Sequence, residues 1–238
     1  QPPQGIPGDP LGGVTHHHDL AAGMILRFYR ALAAANPSPR RVILLSPDHF
    51  RGGPGPVTLC GEAWNTPFGP LRGDREGTEL LLRSGLALRR DGLFPREHGV
   101  TIHLPLIRLF FPDASVLLLV LRDHASDLQL LGLRQLLLSH LEEGDLVLLS
   151  MDLSHHKLPA QAEEEDRRTL PALERMASGS LKGLDLDCPR GAALFLGLMR
   201  ERGAARGILG ERTHSGNLNG YLRAPCTTYA TLFYPREP

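Results

Sequence analysis

Three short polar segments concentrate the residue types that bind metal ions and move protons. They are Thr15-His16-His17-His18, Ser46-Pro47-Asp48-His49 and Asp152-Leu153-Ser154-His155-His156, and together they hold six of the chain's 11 histidines. Neutral imidazole is the commonest protein ligand for transition metals, and its charge changes near neutral pH, so such clusters suit metal binding or acid–base catalysis. Asp152 and His155 stand three residues apart and can face one cavity as ligand and orienting partner, or as an acid–base pair. Glu97-His98 sets a carboxylate beside an imidazole, able to orient it or to act as an anionic ligand. Cys188, in Asp187-Cys188-Pro189-Arg190, precedes an expected helix whose N-terminal amides, with an arginine, favour thiolate. That makes it a candidate soft ligand or nucleophile. Each feature also has a plainer role: a solvated loop for His16 to His18, a helix cap for Asp152 or Ser154, an exposed ion pair for Glu97-His98. The chain carries neither HExxH nor CxxC, so a metal centre has to be assembled by the fold rather than by a local motif.

The elements that must position these residues alternate along the chain. Met24, Ile25, Phe28, Ala31 and Leu32 form one stripe of a 3.6-residue period, which predicts a helix over Ala21 to Ala35, ended by Asn36-Pro37. Val42 to Leu45, Val116 to Leu121 and Asp145 to Met151 are short apolar runs of the kind found in strands covered on both faces. Ser46 to Leu71 is rich in glycine and proline and reads as mostly loop, with a short strand at Val57 to Cys60. Further helices are expected at Gly77 to Ser84, Val100 to Phe111, Ala160 to Ser178 and Gly191 to Arg200. Another opens at the Ser126-x-x-Gln129 capping box and runs to Glu143, stopped by Gly144. Thr227 to Tyr234 closes the chain as a strand. Strand and helix in alternation predict a single α/β/α sandwich with a mainly parallel central sheet, and two of the polar segments directly follow strands, at the edge where such sheets bind ligands. Gln1 to Gly13, with four prolines and four glycines, is expected to be a flexible lead-in unable to form a helix or a central strand, leaving the domain at 14–238.

Composition narrows the function classes. Twenty-six basic and 26 acidic residues balance to a formal charge of zero, which argues against a nucleic-acid binder, since that needs an excess of positive charge. Mean hydropathy is −0.14, and no apolar run approaches the roughly 20 residues of a membrane span. Cys60, Cys188 and Cys226 are too few for a disulfide framework and fit a reducing, cytoplasmic compartment. The start at Gln1 without methionine leaves an exported, processed form open as an expectation.

With these residues in place the chain resembles the Memo-like proteins, also called AmmeMemoRadiSam system protein B. THHHDLAAGMI is similar to the family's Pro-His-His segment, LLSPDHF to its Gly-Pro-Ser/Asp-His, and WNTPFG to its Trp-x-Thr-Pro-x-Gly. REHGVTIHLPLI resembles its Glu-His-Ser and Leu-Pro-Phe pair, SMDLSHH its Ser-Asp-Leu-Ser-His, and HSGNLNGY its Ser-Gly-Asp segment. The resemblance implies an α/β/α fold related to class III extradiol dioxygenases, with a cleft at the strand ends for a small molecule or peptide. It also implies a link to AMMECR-like and radical SAM proteins. Carried over residue by residue, it implies metal ligands at His17, His49 and Cys188, with Asp152, His155, Glu97 and His98 as catalytic groups. His16 stands where the family has proline, and Gly99 where it has serine. Iron or copper is the expected metal and zinc the lesser candidate. The reading is a metal-dependent, dioxygenase-like redox protein, set against a non-catalytic peptide- or protein-binding cleft and a zinc-assisted hydrolase.

Overall fold

Apolar runs too short for helices become the middle of a sheet, and the computed structural model describes this for residues 8–181 and 183–237. The first half of the chain forms β1 (Pro10–Thr15), α1 (Ala22–Ala35), β2 (Arg41–Pro47), β3 (Val57–Cys60), β4 (Trp64–Thr66), β5 (Gly69–Gly73), α2 (Arg75–Ser84), β6 (Leu88–Arg89), α3 (His98–Thr101) and α4 (Leu104–Phe110). The second half forms β7 (Ser115–Leu121), α5 (Asp127–His140), β8 (Leu146–Ser150), α6 (Pro159–Glu174), α7 (Pro189–Glu201), β9 (Ile208–His214), α8 (Ser215–Asn219) and β10 (Thr228–Pro235). The strand order is β4-β5-β7-β2-β8-β1-β10-β9, with β3 and β6 attached beyond β7. β7, β2, β8 and β1 run parallel, and antiparallel pairs lie outside them.

Period-two alternation divides the strands between two cores. Ile43, Leu45, Leu117, Leu119, Val147 and Leu149 point to the face packed by α2, α5, α6 and α7. Val42, Leu44, Val116, Leu118, Leu146 and Leu148 point to the other, packed by α1 and α4. Both faces are covered, as the α/β/α sandwich requires. Of the predicted stripe of α1, Met24, Ile25, Phe28 and Leu32 are buried, Ala31 is half-buried and Tyr29 joins them, and Ser126 caps α5 by accepting from the Gln129 amide at 3.1 Å. Among the described residues no helix is long and apolar enough to cross a membrane.

Several expectations are corrected. The lead-in ends earlier than its composition suggests: Pro10 to Gly13 belong to β1, a fully buried strand between β8 and β10, while residues 1–7 lie outside the described residues. The glycines that argue against a strand are what this strand needs. A Cβ on Gly12 would lie 2.1 Å from the Val147 carbonyl oxygen, and one on Gly13 would lie 2.6 Å from the Phe28 ring. The helix expected over Val100 to Phe111 is two helices, with Pro105 in the first turn of the second, where its missing N–H is harmless. The Ser46 to Leu71 loop contains the β4–β5 hairpin, and Ile208 to His214 is a strand whose half-exposed pattern hid it.

Gly12→Ala is expected to destabilise the protein by about 3 kcal/mol or more, because the added carbon meets backbone rather than a movable side chain. Urea unfolding checks this, and a loss below about 0.5 kcal/mol, the range of neutral surface changes, would contradict the placement of β1.

Candidate metal centre

Parallel register brings three strand ends to one level. Thr15 pairs with Ser150 and Leu45 with Leu149, so the residues just past β1, β2 and β8 emerge side by side. His17 comes from the first, His49 from the second and Asp152 from the third. Asp187, immediately before the N-cap of α7, completes the cluster from the loop above.

The ring of His17 is buried. Its Nε2 lies 3.1 Å from Asp187 Oδ2 and 3.8 Å from Asp152 Oδ2, and its Nδ1 lies 2.9 Å from Ser150 Oγ. His49 Nε2 approaches the same Asp187 oxygen at 3.7 Å. Glu97, fully buried as the N-cap of α3, grips His49 twice: Oε2 accepts from its backbone amide at 3.0 Å, and Oε1 lies 2.5 Å from its Nδ1. The exposed His98 ring stacks on His49 with centroids 4.0 Å apart, and both lie close to His17. Two sets of ligand atoms are therefore close enough to share one cation, His17 with His49 and His98, and His17 with Asp152 and Asp187.

Burial and charge act against each other here. Burial alone would push the His17 and His49 imidazolium groups toward deprotonation. The neighbouring carboxylates outweigh it, Asp187 and Asp152 for His17, Asp187 and Glu97 for His49, so both are raised and His49 reaches about 9. The two aspartates part company. Burial would raise Asp187, but the charge of His17 holds it well below the ordinary carboxylate range, whereas burial wins at Asp152 and raises it. His98 is lowered by burial and then by the charges of His49 and His17. Asp187 Oδ2 is buried and receives no properly directed hydrogen bond among the described residues, although two imidazole nitrogens face it.

The fold thus gathers His17, His49, Glu97, His98 and Asp152 in one cluster. His155 stands at its edge, its Nε2 3.8 Å from Asp152 Oδ2. Cys188 is placed differently from the others. It belongs to none of the close ligand sets found among the described residues, and its side chain joins the core on the α5 and α7 face. Its sulfur lies over the first turn of α7, where a Cβ on Gly191 would come within 2.4 Å of it. The expected thiolate is corrected as well. Burial, then Asp187, pushes this thiol well above its ordinary value. Asp187 escaped the sequence reading. Its signal lay in Pro189, which fixes the first helical position, makes Cys188 the N-cap and leaves the residue before it free to turn toward the strand ends. Ser150 and His103, both fully buried beneath His17, escaped it too.

Comparison with known proteins supports the family resemblance. Residues 17–224 match the family model described as Memo-like protein. A MEMO1 family protein of Pyrobaculum arsenaticum is 24% identical over 239 residues, covering 95% of this chain and 84% of its own. One from Methanococcoides burtonii is 29% identical over 190 residues, with 76% of this chain and 64% of its own covered. Among solved structures, an uncharacterized protein of Escherichia coli is similar in fold, with a TM-score of 0.59 at 11% identity, over 92% of this chain and 98% of that one.

In the metal-free protein His49 is expected to titrate near pH 9, and Glu97→Gln to lower that value by about one unit or more. The folded value lies above the ordinary 6.5, so the contribution to stability is complete below pH 6.5 and is lost as pH rises through 9. The stability gap between wild type and Glu97→Gln should shrink across that window. Histidine NMR titration with parallel urea unfolding checks both, and a His49 value near 6.5 in the wild type would refute the pairing.

Proposed function

The chain belongs to the Memo-like protein family, and from that premise we propose that it is a redox protein holding one transition-metal ion, iron(II) ahead of copper, through His17, which both close ligand sets share, with His49 from the first set and Asp187 from the second. The observation that carries this reading is the convergence of two imidazole Nε2 atoms on one buried oxygen, Asp187 Oδ2, at 3.1 Å and 3.7 Å, with no properly directed hydrogen bond to that oxygen among the described residues. In the metal-free protein the raised His17 and His49 balance the carboxylate charge, and a bound cation would take the place of their protons. The donor set of two histidines and one carboxylate suits iron(II) and lacks the thiolate that would favour copper(I). Asp187 therefore takes the third ligand position that the family resemblance assigns to Cys188. Zinc accepts the same donors, so a hydrolytic role stays the lesser candidate.

An iron(II) ion in such a set supplies open positions at which a diol-type substrate and dioxygen can meet. The chain's own residues do the rest. Glu97 fixes the His49 ring from both its backbone amide and its Nδ1, so that Nε2 faces Asp187. Asp152, raised by burial, keeps its proton to higher pH than an ordinary aspartate, with His155 Nε2 3.8 Å from its Oδ2 at the cluster edge. His98, lowered by burial and then by its charged neighbours and exposed beside His49, is neutral and open to take a proton from an incoming hydroxyl.

Protein prepared anaerobically without a metal-affinity column is expected to hold close to one iron per chain after reconstitution. His49→Ala and Asp187→Ala should lose it, and Cys188→Ser should keep it. Elemental analysis of the four proteins decides. Loss in Cys188→Ser with retention in Asp187→Ala would restore the thiolate as ligand. Absence of metal from the wild type would leave the cleft as a binding site for a peptide or partner protein.

A further inference from the structure

Behind His17 the protein buries a second imidazole that no role described above employs. Ser150 Oγ, at the end of β8, lies 2.9 Å from His17 Nδ1 and 3.1 Å from His103 Nε2, and all three side chains are buried. The inner end of this row is polar as well. His103 Nδ1 has no partner among the described residues, and neither does the hydroxyl of Tyr29, whose ring centroid lies 5.9 Å from that of His103. Burying two unpaired polar groups is unfavourable, and apolar residues of similar shape at 29 and 103 would avoid it. Packing alone therefore does not account for His103.

A serine hydroxyl has one proton for two nitrogens, so the row has a direction. An imidazole that ligates through Nε2 carries its single proton on Nδ1. His17 Nδ1–H then donates to Ser150 Oγ, and the hydroxyl has to donate onward to an acceptor. His103 Nε2 is positioned to be that acceptor, and burial keeps His103 neutral. No carboxylate is recorded in contact with His103 among the described residues to charge it instead. The facing groups on the other elements are Tyr29 of α1, His17 past β1 and Ser150 of β8.

We propose that Ser150 and His103 are positioning residues, a hydrogen-bonded relay that fixes the Nδ1-protonated tautomer of His17 and so presents its Nε2 to Asp187 and His49. The inference rests on the metal-binding reading for its purpose but not for its geometry, and the two are tested separately. Without metal, at a pH where the His17 ring is neutral, long-range proton–nitrogen NMR of the wild-type protein should show its single proton on Nδ1, protected from exchange. The protection should be lost in Ser150→Ala and kept in Ser150→Thr. A bare Nδ1 in the wild type would overturn the relay whether or not metal binds.

With iron(II), chelator competition should show binding about 10- to 100-fold weaker in Ser150→Ala, the range seen when a ligand's orienting partner is removed. His103→Leu should lose as much. His103→Gln, whose side-chain carbonyl still accepts, should recover most of the affinity. The double variant Ser150→Ala/His103→Leu should be no weaker than either single change, because both remove one relay. Independent, additive losses that follow thermal stability, with no recovery in His103→Gln, would make these residues packing elements and overturn the proposal.

Discussion

The candidate site depends on a strand without side chains at its middle. β1 is inserted between β8 and β10, and only glycine at 12 and 13 lets its backbone approach Val147 on one side while Phe28 of α1 closes over it. That insertion sets β1 parallel to β8 in register, Thr15 against Ser150, and hence His17 above Ser150 and beside Asp152. The two cores above and below the sheet then hold the register, because a shift by one residue would turn every apolar side chain of β2, β7 and β8 to the opposite face. Packing far from the site thus determines which nitrogen of which histidine meets which carboxylate.

Once the strand ends converge, electrostatics constrains the rest. Three carboxylates, Glu97, Asp152 and Asp187, are drawn in among His17, His49 and His98, and they raise His17 and His49. The responses separate the groups by role. Glu97 is fully engaged by His49 and by its own helix amide, Asp152 is raised, Asp187 is lowered, and His98 is lowered by burial and then by its charged neighbours. Groups of like type with divergent proton affinities in one pocket are characteristic of sites that bind cations or move protons.

The fold was legible because its signals are local and repeated. Val42 to Leu45 and Val116 to Leu121 could only be buried strands, and Ser126 with Gln129 marked a helix start in two residues. What stayed hidden depended on three-dimensional neighbours. Gly12 and Gly13 read as breakers because nothing in the sequence says that Val147 and Phe28 will crowd them. His17, His49, Asp152, Glu97 and His98 were recognisable as chemistry-bearing types at strand and helix ends. Ser150 and His103 look like an ordinary strand terminus and an ordinary helix residue until β8 and the α3–α4 turn bring them together.

Two positions show how a site can keep its shape while its sequence pattern shifts. The family pattern has glycine before the Pro-Ser/Asp-His segment and serine after Glu-His; this chain has Ser46 and Gly99 at those places. A Cβ on Gly99 would lie 2.3 Å from Ser46 Oγ and 3.4 Å from His49 Cε1, so a side chain at both positions cannot be accommodated without movement of this wall. The hydroxyl at this wall comes from Ser46 of β2, and Gly99 of α3 leaves the room for it beside His49. Asp187 and Cys188 follow the same logic along the chain. With Pro189 fixing the helix start, Cys188 turns into the core and the residue before it faces the histidines. A family motif aligned by residue type alone selects the cysteine; in this fold the backbone brings the preceding carboxylate, rather than the thiol, to the His17 ring.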